Sequence, residues 1–157
     1  MPDGGTSVPH SYVSCVLHYV FSTKQRVRSI RREFRDRLWA YMGGIARENR
    51  MTALAVGGTD DHAHVLVSLP STLTVAHAVQ LIKGGSSKWV SETFPQARDF
   101  AWQEGYGAFS VSISGVADSI AYIATQEEHH RKATFQEEFL AFLKKHKIDY
   151  DPRYIWG

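Results

Sequence analysis

Residues 62–69 have the sequence HAHVLVSL and lie between the turn cluster GGTDD at 57–61 and Pro70. Every odd-numbered position in this stretch is apolar, and the side chains of a strand alternate between the two faces of its sheet. We therefore expect the apolar side chains to pack under helices, while His62 and His64 project together from the other face. The turn residues before the stretch and the proline after it bound the strand.

The segments on either side of this strand alternate between strand-like and helix-like patterns. The pattern predicts strands over Tyr12–Ser22, Met51–Val56, His62–Leu69 and Ala101–Ser112, and helices over Ile30–Asn49, Val75–Thr93, Val116–His130 and Phe135–Lys147. Gly84-Gly85 marks a potential break in the second helix. The β-α-β-β-α-β order predicts an α+β, ferredoxin-like fold, with an antiparallel sheet, helices on one face, the other face open, and further helices at the C-terminus.

The composition is typical of one globular domain. The chain has 157 residues, of which 43% are hydrophobic and 22% charged. We therefore treat residues 1–157 as a single domain, with residues 1–10 as a loose tail. Cys15 is the only cysteine, which excludes an internal disulfide. No apolar run approaches the ~18 residues of a membrane span, so we expect a cytoplasmic protein without a membrane partner.

Basic residues are concentrated in one segment, with seven of them and only two acidic residues from Lys24 to Arg37. Such density suits a phosphate backbone, because each neutralised phosphate releases counterions. A solvated helix face is the alternative interpretation. The residues predicted to contact nucleic acid are Lys24, Arg26, Arg28, Arg31, Arg35, Lys83 and Lys88.

The pair His62 and His64 is a candidate metal site, because two imidazoles two positions apart on a strand can bind one ion. The pattern alone is weak, since the chain has eight histidines and such a pair arises readily by chance. Two surface histidines are the alternative. Imidazole ligands suit manganese or zinc, whereas amide and phosphate oxygens suit magnesium, so the ligand chemistry leaves the metal open.

Tyr122 and Gln126 lie one turn apart on a predicted helix and share one of its faces. Packing by the tyrosine and solvation of the glutamine are the alternative. A phenol with a pKa of about 10 is protonated at neutral pH and becomes a useful nucleophile only near a metal or a base. Its attack on DNA would form a covalent phosphotyrosine that a DNA hydroxyl can reverse, which suits strand transfer better than hydrolysis.

Longer motifs extend over nearly the whole chain. They are Phe21–Lys24, Gly58–Pro70, Ile82–Trp89, Trp102–Val111, Ile123–His130, Phe135–Phe139 and Lys145–Asp151. Together they resemble the single-tyrosine HUH transposases of small bacterial and archaeal insertion sequences. Ala63 departs mildly from the family pattern, which often has a bulkier apolar residue there.

The resemblance implies an enzyme of DNA transposition and recombination that binds DNA hairpins at transposon ends. It also implies cleavage of single-stranded DNA through a 5′-phosphotyrosine intermediate, action as a homodimer, and a prokaryotic protein that is nucleoid-associated when acting. Tyr122 is then the nucleophile. The implied metal ligands are His62, His64 and Gln126, and the implied metal is Mg²⁺ or Mn²⁺.

Other interpretations stay open. A domesticated repeat-associated relative would share the same core. A non-catalytic RNA- or DNA-binding module is suggested by the aromatic, glycine-rich 105–109, although Glu104 stands where that motif has a basic residue. A phosphodiesterase that uses water would not need Tyr122. His129-His130 or Asp60-Asp61 could also supply a metal ligand. We interpret the histidines as contacts at a C-terminal helix end or to a DNA backbone, and the aspartates as turn formers.

Overall fold

The computed structural model describes residues 11–156, which contain one four-stranded antiparallel sheet. Its strands are β1 (Val16–Ser22), β2 (Thr52–Gly58), β3 (His62–Ser68) and β4 (Gly107–Val111). The helices are α1 (Arg32–Glu48), α2 (Val75–Thr93), α3 (Val116–Ala124), α4 (Gln126–His129) and α5 (Phe135–Lys145), and short 3-10 turns cover Lys24–Arg26, Pro95–Ala97 and Ile113–Gly115. The spatial order β2-β3-β1-β4 confirms the ferredoxin-like α+β fold. The predicted tail, residues 1–10, lies outside the described residues.

Several element boundaries differ from the sequence prediction. β1 begins at Val16, because the aromatic and β-branched residues before it, such as Tyr12, are exposed and pair with no strand among the described residues. β4 begins at Gly107, since the residues before it contribute only an isolated bridge between Trp102 and Thr23. The predicted helix 116–130 is interrupted at Thr125, which has φ −111° and ψ 27°.

The second helix, in contrast, is unbroken at Gly84-Gly85. Gly85 faces α1, where an added Cβ would come within 2.9 Å of Ile45. The glycine therefore allows the two helices to approach closely, and the predicted break is wrong. Within residues 11–156, neither this helix nor any other has the combined length and apolarity of a membrane span.

One face of the sheet packs on α1 and α2 and forms the larger core. It receives odd-numbered side chains of β1 and β3, including Tyr19, Phe21 and Val65, all fully buried. Leu38 of α1 and Ile82 of α2 complete the layer. The apolar alternation in residues 62–69 therefore has the predicted cause.

The other face is covered by α3, α4 and α5, so the expectation of an open face was wrong. Leu66 packs under Ile123 of α3, and Val20 packs under Phe139 of α5. Phe109, the aromatic residue of the proposed RNA-binding strand, is also buried beneath α5. An RNA base therefore cannot stack on it in this arrangement, and the even-numbered positions of the sheet lie in an interior.

The tyrosine-bearing helix α3 packs directly on β2. A Cβ added at Gly57 would lie 2.9 Å from both the carbonyl oxygen and Cγ2 of Ile123. The absence of a side chain at this strand position therefore sets the distance between α3 and the sheet. Gly84, on α2, has no neighbour within 4 Å of such a Cβ.

We expect Gly57→Ala to lower the free energy of unfolding by roughly 1–3 kcal/mol, because the methyl group meets helix backbone that cannot move aside without displacing α3. Gly84→Ala is the matched control, and it should stabilise the protein by about 0.5–1 kcal/mol, since it relieves the cost of glycine in a helix interior. Denaturant unfolding of both variants measures the two changes. Equal stabilities for them would contradict the docking role of Gly57.

Candidate metal and tyrosine site

Four side chains that can bind a metal converge on the face of the sheet that lies under α3, α4 and α5. They are His62, His64, His130 and Glu138, and one potential ligand atom from each lies within 4.8 Å of the others. The two strand histidines are fully buried, His130 caps α4, and Glu138 lies on the inner face of α5. The cluster therefore draws its members from three separate elements.

The ring of His62 is oriented by its own turn. Its Nδ1 lies 2.7 Å from Oδ1 of Asp61 and 3.0 Å from Oγ1 of Thr59. Burial alone would raise the pKa of Asp61, but its contacts with His62 and Thr59 together outweigh burial and lower that pKa. The carboxylate thus holds a proton on Nδ1, and a carboxylate behind an imidazole is the usual support of a metal-binding histidine.

With its proton on Nδ1, His62 presents a lone pair at Nε2. This atom lies 3.1 Å from Oε1 of Gln126 and 3.6 Å from Oε1 of Glu138. The amide of Gln126 is oriented by its nitrogen, which donates to the carbonyl of Tyr122 over 3.2 Å. Nε2 of His62 and Oε1 of Gln126 are therefore two acceptors that face each other without a proton between them, and the negatively charged Oε1 of Glu138 lies beside them. A cation at their centre would satisfy all three, so the donor set fits a metal ion.

His64 is held between His18 and Glu138. Its Nδ1 lies 2.7 Å from Nε2 of His18, and its Nε2 lies 3.0 Å from Oε1 of Glu138. Burial lowers the pKa of His64 despite the carboxylate, and burial together with His64 lowers the pKa of His18 to about 3. Both rings are therefore neutral at physiological pH, which is the form that binds metals.

Glu138 is the charged centre of the cluster. Burial alone would raise its pKa, but contacts with His130 and His64 outweigh burial and hold the pKa well below its ordinary value. Nε2 of His130 lies 3.2 Å from Oε2 of Glu138 but is not aligned for a hydrogen bond, and it has no other partner among the described residues. This buried nitrogen is a second unsatisfied group at the same point, and it too fits a metal ligand.

Tyr122 reaches the cluster from α3. Its hydroxyl donates a hydrogen bond to Oε2 of Glu138, and its ring centroid lies 5.7 Å from that of His64. Burial, and then the carboxylate, raise the pKa of the Tyr122 phenol above its ordinary value. The phenol is therefore protonated in this state, and the acceptor for its proton is already in place.

The sequence-predicted site residues His62, His64, Tyr122 and Gln126 lie together in this cluster, and their catalytic roles stay predictions. Sequence reasoning missed Glu138, and it preferred a helix-end or DNA contact for His130, whose ring points into the cluster. A signal for Glu138 was present, because it interrupts the apolar stripe of Phe135, Phe139 and Phe142 on α5. An acid on an apolar stripe indicates a buried partner.

The predicted DNA-contacting residues fall into two groups. Lys24, Arg28, Arg31 and Lys88 are exposed, and Arg26 is half-buried with its guanidinium 5.6 Å from the Trp156 ring. The exposed members are free to meet a phosphate backbone.

Arg35 and Lys83, in contrast, use their donors within the chain. Arg35 is buried, lies 2.9 Å from Glu127 and donates twice to the carbonyl of Ile30. Lys83 donates to three successive carbonyls, from Gln103 to Gly105, and burial lowers its pKa to about 8. The placement of Arg35 and Lys83 therefore favours a structural role over the DNA contact that was predicted from the sequence.

The family described as IS200-like transposases matches residues 11–126. The chain belongs to this transposase family, and membership implies DNA-cleaving activity of the transposition type. The ISDra2 transposase TnpA of Deinococcus radiodurans is 24% identical over 116 residues, which cover 71% of this chain and 83% of that protein.

Two solved structures share the fold. A crystal structure of a candidate transposase from D. radiodurans R1 has a TM-score of 0.61 at 22% identity, covering 77% of this chain and 97% of that one. A REP-associated tyrosine transposase bound to a REP hairpin has a TM-score of 0.57 at 12% identity, covering 80% and 74%. The predicted resemblance to single-tyrosine transposases is therefore confirmed.

The acceptor cluster predicts that Glu138 and His130 contribute to metal affinity beyond His62, His64 and Gln126. We expect His64→Ala to abolish tight Mn²⁺ binding, and Glu138→Gln and His130→Ala each to weaken it by roughly tenfold or more, because each removes a charge or a lone pair. Isothermal titration with Mn²⁺ measures this, with His77→Ala on the exposed start of α2 as control. Unchanged affinity in both Glu138→Gln and His130→Ala would restrict the site to the three ligands predicted from sequence.

Proposed function

We propose that this transposase cleaves and rejoins single-stranded DNA through a covalent bond between Tyr122 and a 5′ phosphate. The observation that carries the proposal is the buried convergence of acceptor atoms from His62, Gln126 and Glu138 directly beside the Tyr122 hydroxyl. Such a site combines a nucleophile, a proton acceptor and a place for a cation, which phosphoryl transfer by a phenol requires.

The step balances with the residues present. The Tyr122 oxygen forms a bond to phosphorus, the bond from phosphorus to the 3′ oxygen breaks, and a free 3′ hydroxyl leaves. The phenol proton passes to Glu138, which already accepts it as a hydrogen bond, and then from Glu138 to the leaving 3′ oxygen. In the reverse direction a DNA 3′ hydroxyl attacks the phosphotyrosine and releases Tyr122, so rejoining needs no external energy.

The proposed metal ligands are His62, His64 and Gln126, with Glu138 and His130 close enough to complete the set. A bound divalent ion would neutralise charge on the scissile phosphate and favour the ionised phenol. The mixture of imidazole nitrogens with amide and carboxylate oxygens suits Mn²⁺ or Mg²⁺ better than a site built from nitrogen alone.

The proposed substrate is single-stranded DNA flanking a hairpin at a transposon end. The relative that was solved with a REP hairpin supports this choice, as does the exposed basic segment that begins at Lys24. Arg28 and Arg32 line a cleft of about 420 Å³ that shares His130 with the metal cluster, so basic side chains lead up to the site. We also propose that the transposase acts as a homodimer.

Exchange of the tyrosine helix between the subunits of this dimer is compatible with the packing. In the structure α3 lies on its own sheet, and Tyr122 meets histidines of the same chain. The connection that joins β4 to α3 ends at Gly115, next to the helix. An exchanged helix would remake the contacts of Ile123 and Tyr122 on the partner's sheet, as swapped elements do.

We expect Tyr122→Phe to abolish the covalent protein–DNA adduct while leaving the fold and DNA affinity intact, because only the attacking oxygen is lost. Labelled single-stranded DNA is incubated with Mn²⁺ or Mg²⁺, and adducts are scored on denaturing gels. Tyr150→Phe, at an exposed tyrosine, is the control and should form adducts normally. An adduct from Tyr122→Phe, or one from the unaltered chain that forms fully in EDTA, would refute the mechanism.

Arg28 and Arg31 are expected to supply DNA affinity without supplying chemistry. The double variant Arg28→Ala/Arg31→Ala should bind hairpin DNA more weakly, and the slope of log affinity against log salt should fall by about one for each lost phosphate contact. Arg47→Ala, at the other end of α1, is the control. Binding is measured by fluorescence anisotropy across a salt series, and an unchanged slope in the double variant would mean that both arginines only face solvent.

A further inference from the structure

A cavity of about 1060 Å³ adjoins the reactive tyrosine and has no assigned role. It lies between β4, α3 and α5, and Tyr122, His130 and Glu138 form part of its wall. Its volume is at the upper end of the ~300–1,000 Å³ of small-molecule pockets, so it has room for more than a single small group. The space opens on the same side chains that meet the scissile phosphate in the proposed function.

The substrate chemistry requires such a space. A phosphodiester that reaches Tyr122 brings a nucleotide on each side of its phosphorus, and these nucleotides must lie against the surfaces around the hydroxyl. One such surface is the arginine-lined cleft beyond His130, and the other is this cavity. Both border His130, so a strand whose phosphate lies at the cluster has a route on either side.

Aromatic rings in the cavity wall are placed where unpaired bases could stack on them. The His129 ring is exposed and lies 4.5 Å from the Tyr122 ring. Phe142 and His146 are half-buried on α5, and the buried Phe109 stacks behind Phe142 at 4.9 Å and so holds that ring in place. Unpaired bases stack on such rings with little dependence on sequence.

Charged side chains in the cavity wall favour bases in one part of the cavity and phosphates in another. Asp118 and Oε2 of Glu137, whose Oε1 caps the start of α5, are acceptors that repel a phosphate but can receive hydrogen bonds from base amino groups. Lys132 and Lys145 are exposed cations in the same wall. A strand is therefore accommodated best with its bases toward the rings and carboxylates and its phosphates toward the lysines.

We propose that this cavity is a binding subsite for one or two unpaired nucleotides that directly flank the scissile phosphate. Their bases stack among His129, Phe142 and His146, and their phosphates contact Lys132 and Lys145. The proposal rests on the proposed function for the position of the scissile phosphate, but it concerns binding and can be tested without cleavage.

The test uses the full chain carrying Tyr122→Phe, with the oligonucleotide dT8 containing one central 5-iodouridine as probe. Irradiation crosslinks this base to neighbouring aromatic side chains, and mass spectrometry identifies the modified peptides. We expect crosslinks to peptides that contain His129, Phe142 or His146. Crosslinks confined to α1 and α2, or none at saturating probe, would overturn the proposal.

Affinity for dT8 gives a second readout with matched variants. Lys145→Ala and His146→Ala should each weaken binding by about fivefold or more, the loss expected for a stacked base or a phosphate contact. Lys144→Ala, one position away on α5 and outside the cavity wall, should bind normally. His146→Phe keeps a ring face and should restore most of the affinity.

The two proposals fail in different ways. Crosslinks in the cavity together with no adduct from the unaltered chain would remove the proposed chemistry and keep the subsite. An adduct at Tyr122 with equal dT8 affinity in Lys145→Ala, His146→Ala and Lys144→Ala would keep the chemistry and remove the subsite.

Discussion

Glu138 is an ionised carboxylate inside the protein, and the face of the sheet under α3, α4 and α5 is organised around it. A buried charge is tolerated only when other groups compensate for its lost hydration. Here His64 and Tyr122 hydrogen-bond to the carboxylate, and the His130 ring lies 3.2 Å from it. Each of these partners comes from a different element. The requirement to satisfy one carboxylate therefore fixes β3, the end of α4, α3 and α5 relative to one another.

The helix that carries Glu138 is itself firmly positioned. Thr134 and Glu137 form a capping box at the start of α5, and Phe135, Phe139 and Leu143 anchor its apolar face on the sheet. The two faces of the sheet thus differ in kind. The face under α1 and α2 packs into one large apolar core. The face under α3 to α5 holds the cluster of histidines and Glu138, with two smaller apolar clusters beside it. The fully buried rings of His62 and His64 lie away from bulk water, which strengthens the electrostatic interactions that they make.

Much of this architecture could be predicted from sequence because it follows local periodicity. Alternation in residues 62–69 separates the two histidines from the core face, and helical spacing pairs Tyr122 with Gln126. Alternation does not reveal what covers the second face, because that depends on how distant helices pack. Glu138 was missed for this reason, since its partners are as many as 74 residues away. Arg35 illustrates the opposite error, because a basic cluster in sequence does not show which member folds inward to Glu127.

The boundary of the family match divides the residues of the site into two groups. The matching segment ends at residue 126, so it contains both strand histidines, the tyrosine and Gln126, whereas His130, Glu138 and the α5 wall of the cavity follow it. The matched segment alone thus contains the proposed nucleophile and the three proposed metal ligands. In the proposed function, the proton acceptor and the surface beside the scissile phosphate come from the C-terminal helices. Glu138 belongs to both the cluster and the cavity wall. In the proposed function, a strand in the cavity would therefore lie against the same helix that accepts the proton of Tyr122. Substrate binding and activation of the proposed nucleophile would then depend on one rigid element.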